Sequence, residues 1–412
     1  MSLKKAQIKI INDPVYGFVS ISHPLILQII NHPYFQRLRR IKQLGLTNLV
    51  YPGALHTRFH HAIGAMHLIQ EAIHTLRNKN IKISDKEELA SLVAILLHDV
   101  GHGPFSHALE NTIVQGVSHE NISIVLMNKL NTEFKQELKL AIQIFEDKYY
   151  RKFFHQLVSS QLDVDRLDYL QRDSFFTGVS EGVIGADRII KMINVVKDKL
   201  VIEQKGIYSV EKFLIARRLM YWQVYLHKTV LSAETLLVNI LNRAKELVQK
   251  NNIKLFATPA LELFLKNNFT ITNFKKESNV LNAFVSLDDT DIMASIKVWQ
   301  NHEDFILSHL CKCFINRNLF KIKLQKEKID TSFVQALKQK ALKKYPNIQA
   351  NEWHYFVYQN KVDNSAYVKS KSKIAIYNGK TLEDIAEASD QSNISALSEP
   401  VTKYYICYDR SL

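Results

Sequence analysis

Apolar residues recur at helical spacing along most of the chain, so the pattern predicts a mainly α-helical protein. Residues 89–97 are the clearest case, because this apolar run without glycine or proline is typical of a buried helix. Further helical patterns cover residues 34–44, 61–73, 119–130, 133–157, 162–173, 187–203 and 210–248. The low content of 12 Gly and 8 Pro in 412 residues also favours long helices over a turn-rich β fold.

Strand-like segments are fewer, and most of them come late in the chain. Residues 16–21 predict an early strand, and residues 200–203 with 206–209 predict a hairpin-like pair. Beyond about residue 278, helical patterns at 289–315 and 331–344 precede strand-like runs at 353–359, 373–377 and 404–408. We therefore expect a helical-bundle domain with its helical extension over residues 1–278 and a smaller C-terminal α+β lobe over residues 279–412.

Composition and charge narrow the class of protein. A hydrophobic fraction of 46% is ordinary for a globular protein, and a net charge of +14 favours anionic partners such as phosphates, nucleotides or nucleic acid. Lysines spread over solvated faces would give the same charge. Three cysteines are too few for a disulfide framework, and Cys311 and Cys313 lack the second half of a zinc ribbon. No secretion signal or membrane span is evident, so we expect a cytoplasmic protein without a membrane partner.

The strongest chemical signal is residues 98–107, with the sequence HDVGHGPFSH. His98 and Asp99 end the buried helix, and His102 and His107 follow a glycine-rich turn. Adjacent helical residues point about 100° apart, so a shared small ion is one way to bring this pair together. A lone histidine on an apolar face is usually a core residue, but three histidines and an aspartate this close together indicate a metal site.

A second histidine cluster lies in residues 51–67. One of its histidines should reach the metal at His98 and Asp99, because two protein ligands alone rarely hold a hydrolytic metal. Arg58 precedes His61 by three residues, so both lie on one side if the helix has begun, although a solvated Arg58 is an equal alternative. His119 follows a predicted N-cap, and its spacing leaves open whether it contacts the site or caps its own helix.

Two further helices carry polar stripes. Asp165, Arg166, Tyr169 and Asp173 fall within about 100° of one another on a helix, which suits a metal ligand followed by contacts to a polar ligand. Nearby Asp163, Asp168 and Arg172 are expected to be solvated or paired with neighbours. Residues 217, 221, 225 and 228 form another single stripe, which is either core or a phosphate-facing wall.

Four motifs in order, at residues 35–45, 57–61, 97–107 and 163–169, resemble the HD-domain phosphohydrolases. The resemblance is to the branch containing deoxynucleoside triphosphate triphosphohydrolases with SAM and HD domains. It implies four metal ligands, His61, His98, Asp99 and Asp165, and a divalent ion that could be Mn, Fe, Mg, Ni or Zn. It also places three side chains around the reacting phosphate, namely His102 as a candidate general acid, His107 and Glu120, and it places His119 near the metal.

The same resemblance implies substrate contacts. Phosphate charge would come from Arg58, Arg166, Arg217 and Lys228. Sugar and base contacts would come from Gln43, Leu44, Tyr169, Asp173 and Tyr225. Asp173 would accept a hydrogen bond from the 3′-hydroxyl and Tyr225 would crowd out a 2′-hydroxyl, so deoxyribose would be preferred.

Some residues depart from the family pattern. Arg166 stands where animal relatives have Lys, and Tyr221 where they have His. Asn31 replaces an Asp that reads guanine in a nucleotide activator, which argues against guanine-dependent activation here.

The resulting hypothesis is a metal-dependent hydrolase that cleaves dNTPs to deoxynucleoside and triphosphate by attack of water on the α-phosphorus, and that forms a dimer or tetramer. One alternative keeps the site but uses nucleoside monophosphates, cyclic nucleotides or alarmones. Another is a nucleic-acid-binding protein that uses the net charge of +14 and the basic aromatic patch at residues 148–154.

Overall fold

Two helices, α3 (Arg58–Asn78) and α4 (Asp85–Leu97), lie at the centre of the fold. The computed structural model describes residues 8–105, 112, 114, 116–368, 373–390 and 399–412. Helix α4 begins with a capping box between Ser84 and Glu87, and all side chains of residues 90–97 are buried. Burial on every side explains why this segment is apolar throughout instead of amphipathic.

The other helices pack around this pair and continue into the C-terminal part. Those of the first half are α1 (Pro24–Asn31), α2 (Pro33–Gln36), α5 (His119–Glu133), α6 (Lys139–Phe145), α7 (Lys152–Val158), α8 (Val164–Thr177), α9 (Ala186–Met192) and α10 (Ile207–Met220). Those of the second half are α11 (Lys228–Lys250), α12 (Pro259–Lys266), α13 (Ile271–Lys276), α14 (Ser278–Ser286), α15 (Asp289–Trp299), α16 (Phe305–Ile315), α17 (Thr331–Lys344) and α18 (Ile385–Ala388).

Three small sheets accompany the helices. The strands are β1 (Lys9–Asp13), β2 (Gly17–Ile21), β3 (Ile193–Val196), β4 (Lys199–Glu203), β5 (Lys321–Gln325), β6 (Val357–Asn364), β7 (Ala375–Tyr377), β8 (Leu382–Asp384) and β9 (Val401–Tyr408). β1 and β2 form a hairpin, β5, β9 and β6 form an antiparallel sheet with β9 in the middle, and the third sheet has the order β3-β4-β7-β8. The predicted mainly α fold with a smaller α+β lobe is confirmed.

Several details of the predicted elements are wrong. The helix predicted over residues 133–157 is divided into α6 and α7, and the helix predicted over residues 187–203 ends at Met192. Residues 206–209 do not form a strand, because α10 begins at Ile207. The hairpin instead joins β3 to β4, so the predicted strand at residues 200–203 is its second strand. Lys197 and Asp198 adopt positive φ angles of 50° and 61°, which permit a tight turn between β3 and β4. The single helix predicted over residues 210–248 is also divided, by a π-helical turn at Tyr221–Tyr225 and by a new N-cap at His227.

The N-terminal and C-terminal parts of the chain are joined through the third sheet. β4 pairs in parallel with β7, so Val201 lies opposite Ala375 and Glu203 opposite Tyr377. The boundary at residue 278 stays a prediction. Among the described residues, no helix combines the length and apolar character that crossing a lipid bilayer requires.

Candidate metal centre

Three helix ends bring the four predicted ligands together. His61 lies in the first turn of α3, which Thr57 and His60 begin with a capping box. His98 is the C-cap of α4, and Asp99 follows it directly. Asp165 lies in the first turn of α8, whose N-cap Asp163 accepts a hydrogen bond from the backbone of Arg166. Each predicted ligand therefore lies at a helix terminus, and at α3 and α8 the N-cap fixes the path of the backbone.

The donor atoms of these residues converge on one point. Nε2 of His61 lies 3.3 Å from Nε2 of His98, 3.0 Å from Oδ1 of Asp165 and 3.8 Å from Oδ2 of Asp99. Nε2 of His98 lies 3.2 Å from Oδ1 of Asp99 and 3.4 Å from Oδ1 of Asp165. Two imidazoles and two carboxylates at these separations suit a divalent transition metal or Mg²⁺.

Both imidazoles are oriented through their second ring nitrogen. Nδ1 of His98 lies 2.6 Å from the carbonyl oxygen of Ile95, one turn back on α4. Nδ1 of His61 lies 2.7 Å from Oδ2 of Asp168. Such partners fix the ring orientation and raise the basicity of the ligating nitrogen, which is usual for histidines that bind metals. The residues present therefore fit a metal ion.

The partner of His61 belongs to a buried charge network. Asp168 accepts hydrogen bonds from Nε and Nη2 of Arg172, both at 2.9 Å, and Nη1 of Arg172 donates to Asp13 at 2.8 Å. The side chains of Asp168 and Arg172 have no exposed surface. Gly64 leaves the room for them, because a Cβ atom there would lie 2.0 Å from Nη2 of Arg172 and 2.1 Å from Oδ1 of Asp168.

The charges of the neighbouring imidazoles, carboxylates and Arg58 shift one another's pKa values. Burial disfavours a charged His61, but hydrogen bonds to Asp165 and Asp168 outweigh it and raise the pKa of His61 to about 10. Burial also opposes the charge on Asp99, yet His98 and Arg58 hold the pKa of that carboxyl well below its usual range. We therefore expect metal binding at this centre to release a proton from His61.

Arg58, His102 and His119 border the ligands on the side of Asp99. Nη1 of Arg58 pairs with Oδ2 of Asp99, and Nε2 of His102 lies 3.4 Å from Oδ1 of the same carboxylate. The rings of His102 and His119 stack at 3.8 Å. Burial, together with the charge of Arg58, lowers the pKa of His102 well below its usual value. The solvated surface position considered for Arg58 is wrong, since this side chain is buried.

The other two candidates near the phosphate differ in position. Glu120 lies in the first turn of α5 and is exposed. His107 lies outside the described residues.

Asp173 is the centre of a second polar group, two turns along α8 from Asp165. Its Oδ1 lies 2.7 Å from Nε2 of His56, and its Oδ2 accepts a hydrogen bond of 2.8 Å from the hydroxyl of Tyr225. The ring of Tyr169 packs edge-on against Tyr225 at 6.0 Å. A carboxylate, a phenol and aromatic edges on one wall are suitable for a sugar and a base.

Gln43 and Leu44 reach the same region through the backbone. The amide of Gln43 donates to the carbonyl oxygen of His56 at 3.0 Å, and Leu44 is half-buried. Within the described part of the chain, Oε1 of Gln43 and Nδ1 of His56 are buried without a hydrogen-bond partner. The side chain of His56 has no exposed surface, so its unpaired nitrogen is enclosed by the protein.

Of the remaining cationic candidates, Arg166 and Arg217 donate hydrogen bonds to backbone carbonyl oxygens, whereas Lys228 is exposed. Nε of Arg166 donates to the carbonyl oxygen of Ser160 at 2.7 Å, and Nη1 of Arg217 donates to the carbonyl oxygen of Ala366 at 3.0 Å. Nε of Arg217 is buried without a partner among the described residues. Lys228 begins α11 and is exposed.

Sequence reasoning missed two residues that the geometry makes important. Asp168 was expected to be solvated or paired, and it is paired, but its partners include the ligand His61 as well as Arg172. His56 was noted only as part of a cluster, and it contacts Asp173. The spacing of Asp168 three residues after Asp165 was the available signal, because this spacing puts both carboxylates near one helical face.

Comparison with known proteins gives family matches over this part of the chain. A family model described as HD domain matches residues 58–173, and one described as HD associated region matches residues 184–268. The uncharacterized protein YwfO of Bacillus subtilis is 36% identical over 327 residues, which covers 77% of this chain and 72% of that protein. The deoxynucleoside triphosphate triphosphohydrolase SAMHD1 homolog of Dictyostelium discoideum is 32% identical over 260 residues, covering 58% of this chain and 50% of that protein.

A solved structure is similar over nearly the whole chain. A phosphohydrolase from Bacteroides thetaiotaomicron shares 53% identity with a TM-score of 0.94, and the match covers 98% of this chain and 100% of that one. The similarity therefore extends past the HD-associated region into the C-terminal part.

Proposed function

Since this chain belongs to the HD-domain family, we propose that it is a metal-dependent phosphohydrolase that cleaves dNTPs into deoxynucleoside and triphosphate. The observation that carries the proposal is the convergence of His61, His98, Asp99 and Asp165 on one point. The nucleotide substrate is supported by similarity to proteins named as dNTP triphosphohydrolases.

The four ligands would hold one divalent ion. When bound, such an ion supplies acidification of water and polarisation of a phosphoryl oxygen. Asp168 and the carbonyl of Ile95 keep the two imidazoles turned toward that ion. Asp165 keeps 29% of its side chain exposed, so the centre is open on the side of α8.

The proposal assigns Arg58 and His102 to the phosphate. A guanidinium has five N–H donors, so Arg58 can pair with Asp99 and also donate to a phosphate oxygen. The lowered pKa of His102 keeps its ring neutral near pH 7. A neutral ring can orient water or a phosphate oxygen, and an approaching triphosphate would raise the pKa toward the value that a general acid needs.

The polar wall at Asp173 accounts for a preference for deoxyribose. Asp173 already binds the hydroxyl of Tyr225, and a carboxylate can accept a further hydrogen bond from a sugar hydroxyl. The ring of Tyr225, packed against Tyr169 and Tyr221, is held in place beside it. A fixed ring next to the sugar would leave no room for a 2′-hydroxyl.

We further propose that the protein acts in the cytoplasm as a dimer or tetramer. The exposed apolar side chains of the β1–β2 hairpin, Ile8, Ile10 and Phe18, are compatible with association.

The test is product analysis on the metal-loaded protein. Each dNTP and NTP is incubated alone and in mixtures, and the products are separated by ion-pair chromatography, with Asp99→Ala as the inactive control. Deoxynucleoside plus triphosphate, absent in the control, is the expected result. Activity only in mixtures would identify a nucleotide activator.

Two other outcomes would reject the substrate. Turnover of none of these nucleotides by a protein that holds its metal would favour monophosphates, cyclic nucleotides or alarmones as the substrate. Nucleic-acid binding that falls steeply with salt and persists in Asp99→Ala, without hydrolysis, would favour a binding role based on the basic surface.

A further inference from the structure

A second cluster of metal-ligating side chains lies in the C-terminal part, outside both family-model matches. His309 and Cys313 lie one turn apart on α16, and Asp409 directly follows β9. One ligand atom from each residue lies within 4.8 Å of the other two. Cys313 and Asp409 are buried, whereas 24% of the side chain of His309 is exposed.

The two contacts of the histidine converge on a single nitrogen. Nε2 of His309 lies 2.5 Å from Oδ2 of Asp409 and 3.6 Å from Sγ of Cys313. One ring nitrogen carries either one proton or one lone pair, so it can form a full hydrogen bond with only one of these partners. A cation at the shared point would instead engage all three groups.

The separations fit a tetrahedral ion for the sulfur and the nitrogen. Zinc bonds of about 2.3 Å to sulfur and about 2.1 Å to nitrogen place these atoms about 3.6 Å apart at a tetrahedral angle. The observed Sγ to Nε2 distance has this value. The carboxylate of Asp409 is closer than a tetrahedral ligand would be and would withdraw by less than about 1 Å.

Asp409 is also held as metal-bound carboxylates commonly are. Its Oδ1 accepts hydrogen bonds from the backbone amide of Ser411 at 2.8 Å and from the Ser411 hydroxyl at 2.6 Å. That hydroxyl lies 2.8 Å from the hydroxyl of Tyr345. These bonds leave Oδ2 directed at His309, which is the function of outer partners at metal sites.

We propose that His309, Cys313 and Asp409 bind an ion of the zinc class, with water as the fourth ligand. Thiolate, imidazole and carboxylate together select such an ion over Mg²⁺ or Ca²⁺. His309 keeps 24% of its side chain exposed, so the proposed site lies near the protein surface, where water is available. The ion would link α16 to the end of β9, the middle strand of its sheet, and so brace α16 against α11.

Cobalt is the probe that separates this site from the candidate catalytic centre. Co²⁺ bound to thiolate gives a charge-transfer absorption in the near ultraviolet, whereas the ligands at the catalytic centre are nitrogen and oxygen atoms. The full chain is stripped with a chelator and titrated with Co²⁺. We expect the absorption to persist in Asp165→Ala and, in that variant, to saturate at one equivalent per chain because the catalytic centre has lost a ligand. A failed substrate assignment would leave this result unaffected.

Matched cysteine variants identify the ligand. Cys313→Ala should abolish the absorption, and Cys311→Ala, a change in a buried cysteine two residues away on the same helix, should retain it. Asp409→Asn should weaken Co²⁺ binding by at least about tenfold, and it replaces Cys313→Ala as the test if far-ultraviolet circular dichroism shows that the latter is unfolded. No charge-transfer absorption in the full chain, or absorption unchanged in Cys313→Ala and Asp409→Asn, would overturn the proposal.

Discussion

Nδ1 of His61 lies 2.7 Å from Oδ2 of Asp168, and neither side chain is exposed to solvent. Because Asp168 also accepts two hydrogen bonds from Arg172, its carboxylate cannot turn away from the imidazole without breaking an ion pair. The orientation of a predicted metal ligand therefore depends on charges that lie beyond the site.

Asp168→Asn should lower the metal affinity of the centre by about 10- to 100-fold, because the amide supports the imidazole less strongly. Metal affinity is measured by competition with a chromophoric chelator. Asp13→Asn is the matched control, since it removes the charge of another carboxylate that pairs with Arg172 and does not contact His61. Equal losses of affinity in the two variants would show that the effect is one of general stability.

Gly64→Ala should destabilise the protein, although this change usually stabilises a helix by about 1 kcal/mol. The added methyl would overlap Nη2 of Arg172 and Oδ1 of Asp168. We expect a loss of about 2 kcal/mol or more in the free energy of unfolding, measured in urea. A variant as stable as the parent would mean that the network can move aside.

Asp165→Ala should remove both activity and Mn²⁺ binding while helical content stays nearly unchanged. The residue supplies a ligand atom 3.0 Å from Nε2 of His61 and retains some exposure, so its loss leaves the helix cap at Asp163 intact. Mn²⁺ stoichiometry is measured after gel filtration, with circular dichroism as the folding control. Full Mn²⁺ occupancy in the variant would contradict the ligand assignment.

Tyr225→Ala should relax sugar discrimination by about tenfold in the ratio of kcat/KM for dNTP to that for NTP. Tyr225→Phe separates the two features of the side chain, because it keeps the ring and removes the hydroxyl that binds Asp173. If the ring excludes the 2′-hydroxyl, the Phe variant should remain selective. An unchanged ratio in Tyr225→Ala would remove this role.

Glu87 should make stability depend on pH in acid. Burial alone would raise the pKa of Glu87, but bonds from the Ser84 backbone and hydroxyl and from Arg151 lower it to about 2, against 4.5 without these contacts. This carboxylate therefore stabilises the fold fully above pH 4.5 and loses its effect as the pH falls through about 2. The stability difference between the parent and Glu87→Gln should therefore shrink over that window in urea titrations. A difference independent of pH would contradict the assigned pKa.

Much of the helical bundle could be predicted from periodicity and caps. The apolar run at residues 89–97 and the N-cap at Ser118 correspond to observed elements, and α17 has the predicted bounds of residues 331–344. The hairpin could not be placed, because strand propensity at residues 206–209 was overridden by packing of α10, whereas the positive φ angles at Lys197 and Asp198 have only a weak sequence signal.

The sequence predicts a set of candidate ligands, but it does not predict the contacts that other distant residues make with them. His98 and Asp99 are adjacent, and the resemblance to a family connected them to His61 and Asp165. Asp168 and His56 act through contacts with residues 107 and 117 positions away, and only the fold brings such pairs together. The contact of Asp409 with His309 could not be predicted for the same reason, because the two residues lie 100 positions apart.

The parallel pairing of β4 with β7 means that part of the N-terminal half of the chain can complete its contacts only late in synthesis. Strand β4 can pair with β7 only after Ala375–Tyr377 have left the ribosome. Gln161, close to the start of α8, can form its two hydrogen bonds with Val368 only after that residue has been synthesised. Arg217 likewise gains its carbonyl partner only when Ala366 arrives. These contacts therefore form near the end of synthesis, and a prematurely terminated product would expose the unpaired edge of β4.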